Sequence, residues 1–179
     1  MKVLPGFFAV LFPFLGLSAP AQAVDLFEFL GHYKGTVSMT TAFDGGTTFT
    51  GPVRIRVAVP NSRGDYALFR FKGSAAGNGT TFTINSAFTF MKSSKRFVVA
   101  PDLLFGILPG APGGLGKFSG SRHLLRFEVH VPVGPDTATF SGRARLKTSG
   151  GKQRLLVSSK IATSSQGVIF SFNFSAVKR

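Results

Sequence analysis

Apolar and polar residues alternate with period two through most of this chain, and glycine-rich breaks separate one alternating run from the next. In residues 80–91 the even positions hold Phe82, Ile84, Ser86, Phe88 and Phe90, and the odd ones hold Thr81, Thr83, Asn85, Ala87 and Thr89. Successive side chains of a strand point to opposite faces, so such a run is a half-buried β-strand; a helix would repeat its apolar stripe every three or four residues. Val53, Ile55, Val57 and Val59 alternate with Arg54, Arg56 and Ala58 in the same way. Leu125, Phe127, Val129 and Val131 oppose Leu124, Arg126, Glu128 and His130, and Val168, Phe170, Phe172 and Phe174 oppose Ile169, Ser171, Asn173 and Ser175. The pattern predicts about nine strands, near 32–43, 47–59, 65–73, 80–91, 95–100, 122–131, 137–148, 153–163 and 168–177. Helical character is confined to residues 25–30, one short turn ended by Gly31.

The connections are short, so sequence neighbours pair antiparallel and the topology is a meander. Turn length then sets register. A two-residue turn at Gly150-Gly151 pairs Lys147 with Arg154, Leu146 with Leu155, Ala144 with Val157 and Phe140 with Ile161. A four-residue turn from Ser164 to Gly167 sets Val157 against Phe174 and Ile161 against Phe170, and a three-residue Asp44-Gly45-Gly46 loop sets Val37 against Val53 and Tyr33 against Val57. All three turns bury one consistent face. A meander of this many strands hides its edges best by closing, which predicts an all-β fold, a closed or nearly closed antiparallel barrel.

The first 23 residues stand outside that pattern. Lys2 precedes an uncharged apolar stretch over residues 3–17, and Ala21-Gln22-Ala23 forms an A-x-A cleavage site, the signature of a signal peptide. Pro5, Pro13 and the small residues Ser18, Ala19 and Pro20 argue against a retained membrane helix. The expectation is an exported, periplasmic or extracellular protein with one barrel domain over residues 24–179. The chain has no cysteine, so burial alone holds that domain together. Its formal net charge is +14, of which only Lys2 lies in the leader, which favours polyanions generally, whether phosphorylated envelope glycans, anionic lipid head groups or nucleic acid, or serves solubility alone.

Phe29-Leu30-Gly31-His32-Tyr33-Lys34-Gly35 leads from a short helical turn straight into the first strand. This resembles the opening of lipocalin-like (calycin) barrels, where a Gly-x-Trp motif precedes a long meander that closes on itself. Tyr33 stands at the Trp position, and the chain contains no Trp. The resemblance implies a barrel that holds an apolar ligand, and it transfers no binding residue.

Chemical signatures are scarce. Among His32, His123 and His130, only His130 shares a strand face with another ligand type, Glu128, and a third ligand for a metal is not visible. Gly116-Lys117-Phe118-Ser119-Gly120 has its serine in the wrong place for a nucleophile elbow, which leaves Ser119 as loop. In Gly110-Ala111-Pro112-Gly113-Gly114-Leu115-Gly116-Lys117, Ala111 replaces the first glycine of a phosphate loop and Phe118 the magnesium-binding hydroxyl residue. The seven acids are scattered, with no pair suited to glycoside chemistry. The sequence therefore predicts no catalytic residues, no metal, no cofactor and no specific nucleic-acid partner.

Three features remain. The inward rows are aromatic, and Phe82, Phe88, Phe90, Phe127, Phe140, Phe170, Phe172 and Phe174 either line a ligand cavity or fill the core. Leu103, Leu104, Phe105, Ile107 and Leu108 form an uncharged apolar loop that plugs one barrel end, gates a cavity, dips into a membrane or binds a partner. Arg143, Arg145, Lys147, Arg154 and Lys160 form a basic ladder on the opposite face, either an anion site or a solvated surface. The leading expectation is a binding protein for a lipid or another apolar or amphiphilic ligand with an anionic head group. The alternatives are a structural or surface-interaction protein acting through a basic exterior, and an outer-membrane barrel in which Arg54, Arg56, Arg143 and Arg145 line the lumen while the Phe rows face lipid. Against the last, aromatic girdles need Trp and Tyr, and the chain has none of the first and two of the second.

Overall fold

A computed structural model describes residues 24–42, 46–99 and 114–179. A 3-10 turn, Leu26–Phe29, opens ten strands: β1 (Gly31–Thr41), β2 (Thr48–Ala58), β3 (Tyr66–Gly77), β4 (Thr80–Met91), β5 (Arg96–Val99), β6 (Gly114–Ser121), β7 (Leu124–Val133), β8 (Asp136–Ser149), β9 (Lys152–Thr163) and β10 (Gly167–Lys178). Each strand pairs antiparallel with the next, and β10 returns to β1 from Tyr33↔Lys178 to Thr41↔Phe170, so the sheet is a closed barrel. Closure gives the first and last strands hydrogen-bond partners that an open meander would leave to solvent. The leader read over residues 1–23 and the apolar loop residues Leu103, Leu104, Phe105, Ile107 and Leu108 lie outside the described residues.

The strand that alternation does not reveal is β6, and it contains Ser119, so that serine lies on a strand rather than in the expected loop. Its inward positions are Gly114, Gly116, Phe118 and Gly120, so three of the four carry no side chain to mark the buried face. Those glycines admit the neighbouring backbone. A Cβ at Gly116 would fall on the Glu128 carbonyl oxygen, and one at Gly120 on that of Leu124. Glycine at such points lets a barrel strand coil tightly against its partner.

Register follows the turns closely at β8–β9, where Lys147↔Arg154, Leu146↔Leu155, Ala144↔Val157 and Phe140↔Ile161 all occur. Gly150 and Gly151 have φ of 57° and 72°, the left-handed pair that a type I′ hairpin turn requires. At β9–β10 the expected pairs Val157↔Phe174 and Ile161↔Phe170 also occur, but the connection is one residue shorter than expected, with Thr163 opposite Gly167. A bulge between Val168 and Phe170 absorbs the difference. It turns Ile169 inward, 4 % exposed, and leaves Val168 45 % exposed, which corrects the placement of Val168 in the inward row.

The β1–β2 register differs from expectation by two residues: Tyr33 faces Ile55 and Gly35 faces Val53. Thr41 N donates to Thr47 O at 3.0 Å, so the connection spans residues 42–46 rather than 44–46. A slip of two keeps every side chain on its own face, so the buried pattern does not distinguish the two registers.

The 3-10 turn closes one end of the barrel. Phe27 N donates to the Asp25 carboxylate at 3.0 Å, capping the turn, and Leu26 and Phe29 are fully buried. Tyr33 donates its hydroxyl to Phe29 O at 2.8 Å, and burial pushes its phenol up to about 12. Tyr33 is thus a buried ring tied back to the turn. In a meander successive connections alternate ends. The N-terminal rim therefore carries the β2–β3, β4–β5, β6–β7 and β8–β9 connections, and the opposite rim carries the other five.

Candidate functional site

All eight phenylalanines singled out for the interior point into the barrel, Phe82 half-buried and the others buried. Rings meet across the lumen. Phe71 on β3 and Phe174 on β10, separated in the sheet by β1 and β2, have centroids 5.0 Å apart. Phe88 on β4 reaches Phe140 on β8 at 5.2 Å, Phe71 at 5.1 Å and Phe97 at 5.6 Å. Phe97 stacks on Phe127 at 4.7 Å, and Phe90 meets Phe118 and Phe127 edge-on at 5.4 and 5.7 Å. These separations are those of favourable aromatic contacts, so phenylalanine occupies the middle of the barrel and the half nearer the 3-10 turn. Phe49 and Phe82, centroids 4.8 Å apart, pack farther from that turn, toward the opposite rim.

The outer wall carries the charge. Lys34, Arg54, Arg56, Arg70, Lys72, Arg143, Arg145, Lys147 and Arg154 are exposed, while the Phe rows face inward. This is the reverse of the arrangement a membrane-spanning barrel needs, with its apolar rows on lipid. The basic ladder divides between two adjoining concavities. Arg143, Arg145 and Lys147 line one of about 300 Å³ together with Ser158, Asn173 and Ser175. Lys160 lines another of about 510 Å³ with Arg126, Arg143 and Ser171. Arg154 faces Lys147 across β8–β9 and donates from Nη1 to Ser175 Oγ at 3.2 Å.

A larger concavity, about 610 Å³, lies on β1–β3 and is lined by His32, Lys34, Arg54, Arg56, Arg70, Lys72 and Arg179. Register builds it: Lys34↔Arg54↔Lys72 form one cross-strand row and His32↔Arg56↔Arg70 the next. Arg179 joins them through its backbone N, which donates to His32 O at 2.9 Å. Sequence reading missed this groove. Its available signal was the run Arg54, Arg56, Arg70, Lys72, but only the β2–β3 register across a seven-residue connection brings the two pairs side by side.

The two basic regions share one cross-strand row, interrupted at Val177. From Lys147 the row passes to Arg154, Val177, Lys34, Arg54 and Lys72, each opposite the next on six successive strands. No Asp or Glu lies on β1, β2, β3, β9 or β10, and on β8 the sole acid is Asp136 at its first residue. Like charges directly opposite on neighbouring strands destabilise a sheet, by about 0.2–1 kcal/mol per pair, and a bound anion relieves that repulsion.

The acids serve elsewhere. Glu28 pairs with Arg122, whose Nε donates to Oε1 at 2.6 Å. His130 bridges Glu128 and Thr139 at 3.1 and 2.9 Å on the exposed face of β7–β8, and among the described residues no third His, Cys, Asp or Glu joins them in a group that could hold a metal. Asp136 staples two connections of the opposite rim. The Ser165 hydroxyl, with backbone N–H groups of Thr137, Ser164 and Ser165, holds its carboxyl below the usual carboxylate range, although burial opposes the shift.

A scan against protein-family models finds no match to this chain, and a search of curated proteins also finds none.

Proposed function

We propose that this is a non-enzymatic, exported binding protein that engages phosphate- or sulfate-rich polyanions on the outer wall of its barrel, with the phenylalanine interior serving as its structural core. The observation that carries the reading is the cross-strand row from Lys147 to Lys72, basic at every position but Val177, flanked by Arg56 and Arg70 and without an acid on the five strands β9, β10, β1, β2 and β3. A groove of about 610 Å³ on that row is large enough to seat several anionic groups. Its lining has no exposed aromatic ring apart from His32, so it offers charge to phosphates and little stacking surface to nucleobases.

Titration with inorganic polyphosphate at graded salt tests the reading. Each neutralised phosphate contributes about −0.7 to −0.9 to the slope of log K against log salt. Arg54→Glu with Lys72→Glu should weaken binding at least about tenfold and flatten the slope by about 2, while Arg96→Glu, off the row, changes little. Affinity indifferent to salt or to the double reversal overturns the proposal.

A second reading, an apolar or amphiphilic ligand inside the barrel as in lipocalin-like proteins, is favoured by one observation. The sheet closes on itself around an interior lined by apolar side chains, the architecture in which small barrels also hold ligands. Native mass spectrometry of protein purified from its own host tests it: a copurifying lipid-sized ligand supports the second reading, and bare protein removes it.

A further inference from the structure

The connecting residues divide the charge along the barrel axis. The N-terminal rim carries Arg63, Lys92, Lys95, Arg122, Lys152 and Arg179 on or beside its connections and chain end. Among the described residues, the connections of the opposite rim (42 and 46–47, 78–79, 134–135 and 164–166) carry no Lys or Arg. Acids at the N-terminal rim are engaged: Asp25 caps the 3-10 turn, Glu28 pairs with Arg122, and Asp65 accepts from Asn61 Nδ2 at 3.1 Å. The connections are thus cationic at the N-terminal rim and uncharged at the described part of the other, with the basic wall running between them.

The same pole exposes apolar side chains. Phe27 is 42 %, Leu30 43 % and Tyr66 38 % exposed. Leu30 N donates to Phe27 O at 3.0 Å, the Phe27 ring lies over Gly64, and Tyr66 follows two residues on at the same rim. Gly64, with φ of 65°, is the residue that permits this. A Cβ there would come within 2.7 Å of the Phe27 ring, so the loop turns under the ring only without a side chain.

We propose that the N-terminal rim is a docking surface for an anionic phospholipid bilayer, with Phe27, Leu30 and Tyr66 entering the interface and the surrounding cations holding lipid phosphates. This rests on the anion-binding reading above and names its occupant at this end of the molecule. Exposed phenylalanine, leucine and tyrosine among cations give nothing to a soluble polyanion, which stays hydrated. At a bilayer they reach the boundary between head groups and acyl chains while Lys and Arg meet the negative surface. Tyrosine in particular favours that boundary. The β1–β3 groove opens toward the same rim through His32, Arg56, Arg70 and Arg179, which extends phosphate contacts up the wall from the docked end.

The absence of native Trp makes the test direct. Leu30→Trp reports the docking rim and Val168→Trp, at a 45 % exposed position beside the opposite rim, reports the other end. Vesicles of phosphatidylcholine alone, or with about a third phosphatidylglycerol, are the probes. The expected result is a blue-shifted Leu30→Trp emission on the anionic vesicles only, no shift for Val168→Trp, and at least tenfold tighter binding to the anionic vesicles. Phe27→Ser with Leu30→Ser, both at exposed sites and checked for folding by circular dichroism, should lose about tenfold in vesicle affinity and keep its affinity for inorganic polyphosphate. Vesicle binding without a Leu30→Trp shift, a shift at Val168→Trp instead, or indifference to the double serine variant overturns the proposal. Polyphosphate binding without vesicle binding overturns it and leaves the anion-binding reading standing; binding to neither overturns both.

Discussion

Phe88→Ala removes the ring at the centre of the barrel's aromatic contacts. Phe88 is 2 % exposed and its ring lies 5.1–6.2 Å from those of Phe71, Phe97, Phe127 and Phe140. Truncating a buried Phe to Ala costs about 3–5 kcal/mol from lost transfer energy and the cavity left behind. Aromatic pairs add about 0.5–1.5 kcal/mol each beyond area burial, so four such partners put this site at the upper end, about 4–5 kcal/mol. Against a total stability of about 5–15 kcal/mol, that moves the urea midpoint by a large fraction of its value. Phe140→Ala and the double variant complete a cycle, with coupling above about 0.5 kcal/mol expected for rings in contact. A loss below about 1.5 kcal/mol with no coupling would mean that Phe88 borders open space, and would refute the filled interior.

Face assignment, turn chemistry and strand packing give three further expectations. Ala144, 1 % exposed and opposite Val157 and Leu125, should lose about 3–5 kcal/mol on Ala144→Asp because the charge is buried unpaired, while exposed Arg145→Asp stays within about 0.5 kcal/mol in the same melts. Asp136 has a lowered folded value, so its contribution to stability is present above the ordinary 3.8 and disappears as pH falls through the lower folded one; Asp136→Asn should flatten the acid limb of a stability–pH curve, and an unchanged limb would count against the staple. Gly116→Ala should cost about 1–3 kcal/mol because its Cβ collides with the Glu128 carbonyl, whereas outward Ser119→Ala on the same strand should be near neutral.

What could be read from sequence follows the range of the interaction involved. Period-two alternation marks a buried face residue by residue, so β4, β7 and most of β10 are legible from their own side chains. The Gly150-Gly151 turn fixes β8–β9 because its geometry is local and demands two left-handed residues. At β1–β2 the loop admits two lengths, and a two-residue slip leaves every side chain on its face, so nothing in the pattern corrects the choice. Strand β6 writes its inward face in glycine, and its signal is a missing side chain. The same distinction governs the sites. The ladder Arg143, Arg145, Lys147 is visible within one strand, but the β1–β3 groove exists only once Lys34, Arg54 and Lys72 are in register. Whether the Phe rows enclose a void depends on ring contacts between strands far apart in sequence, such as Phe71 with Phe174, to which periodicity is blind.

The central claim is that the wall binds and the interior supports, and a residue-resolved NMR titration separates the two. With inorganic tetrapolyphosphate added to isotope-labelled protein, the account predicts shifts clustered at outward Lys34, Arg54, Arg56, Arg70 and Lys72, with the methyl and ring signals of Val37, Phe88, Phe140 and Phe174 unmoved. A medium-chain fatty acid added in its place should leave those interior signals where they were. Interior signals that move with the fatty acid, alongside an outer wall that ignores the polyanion, would contradict it.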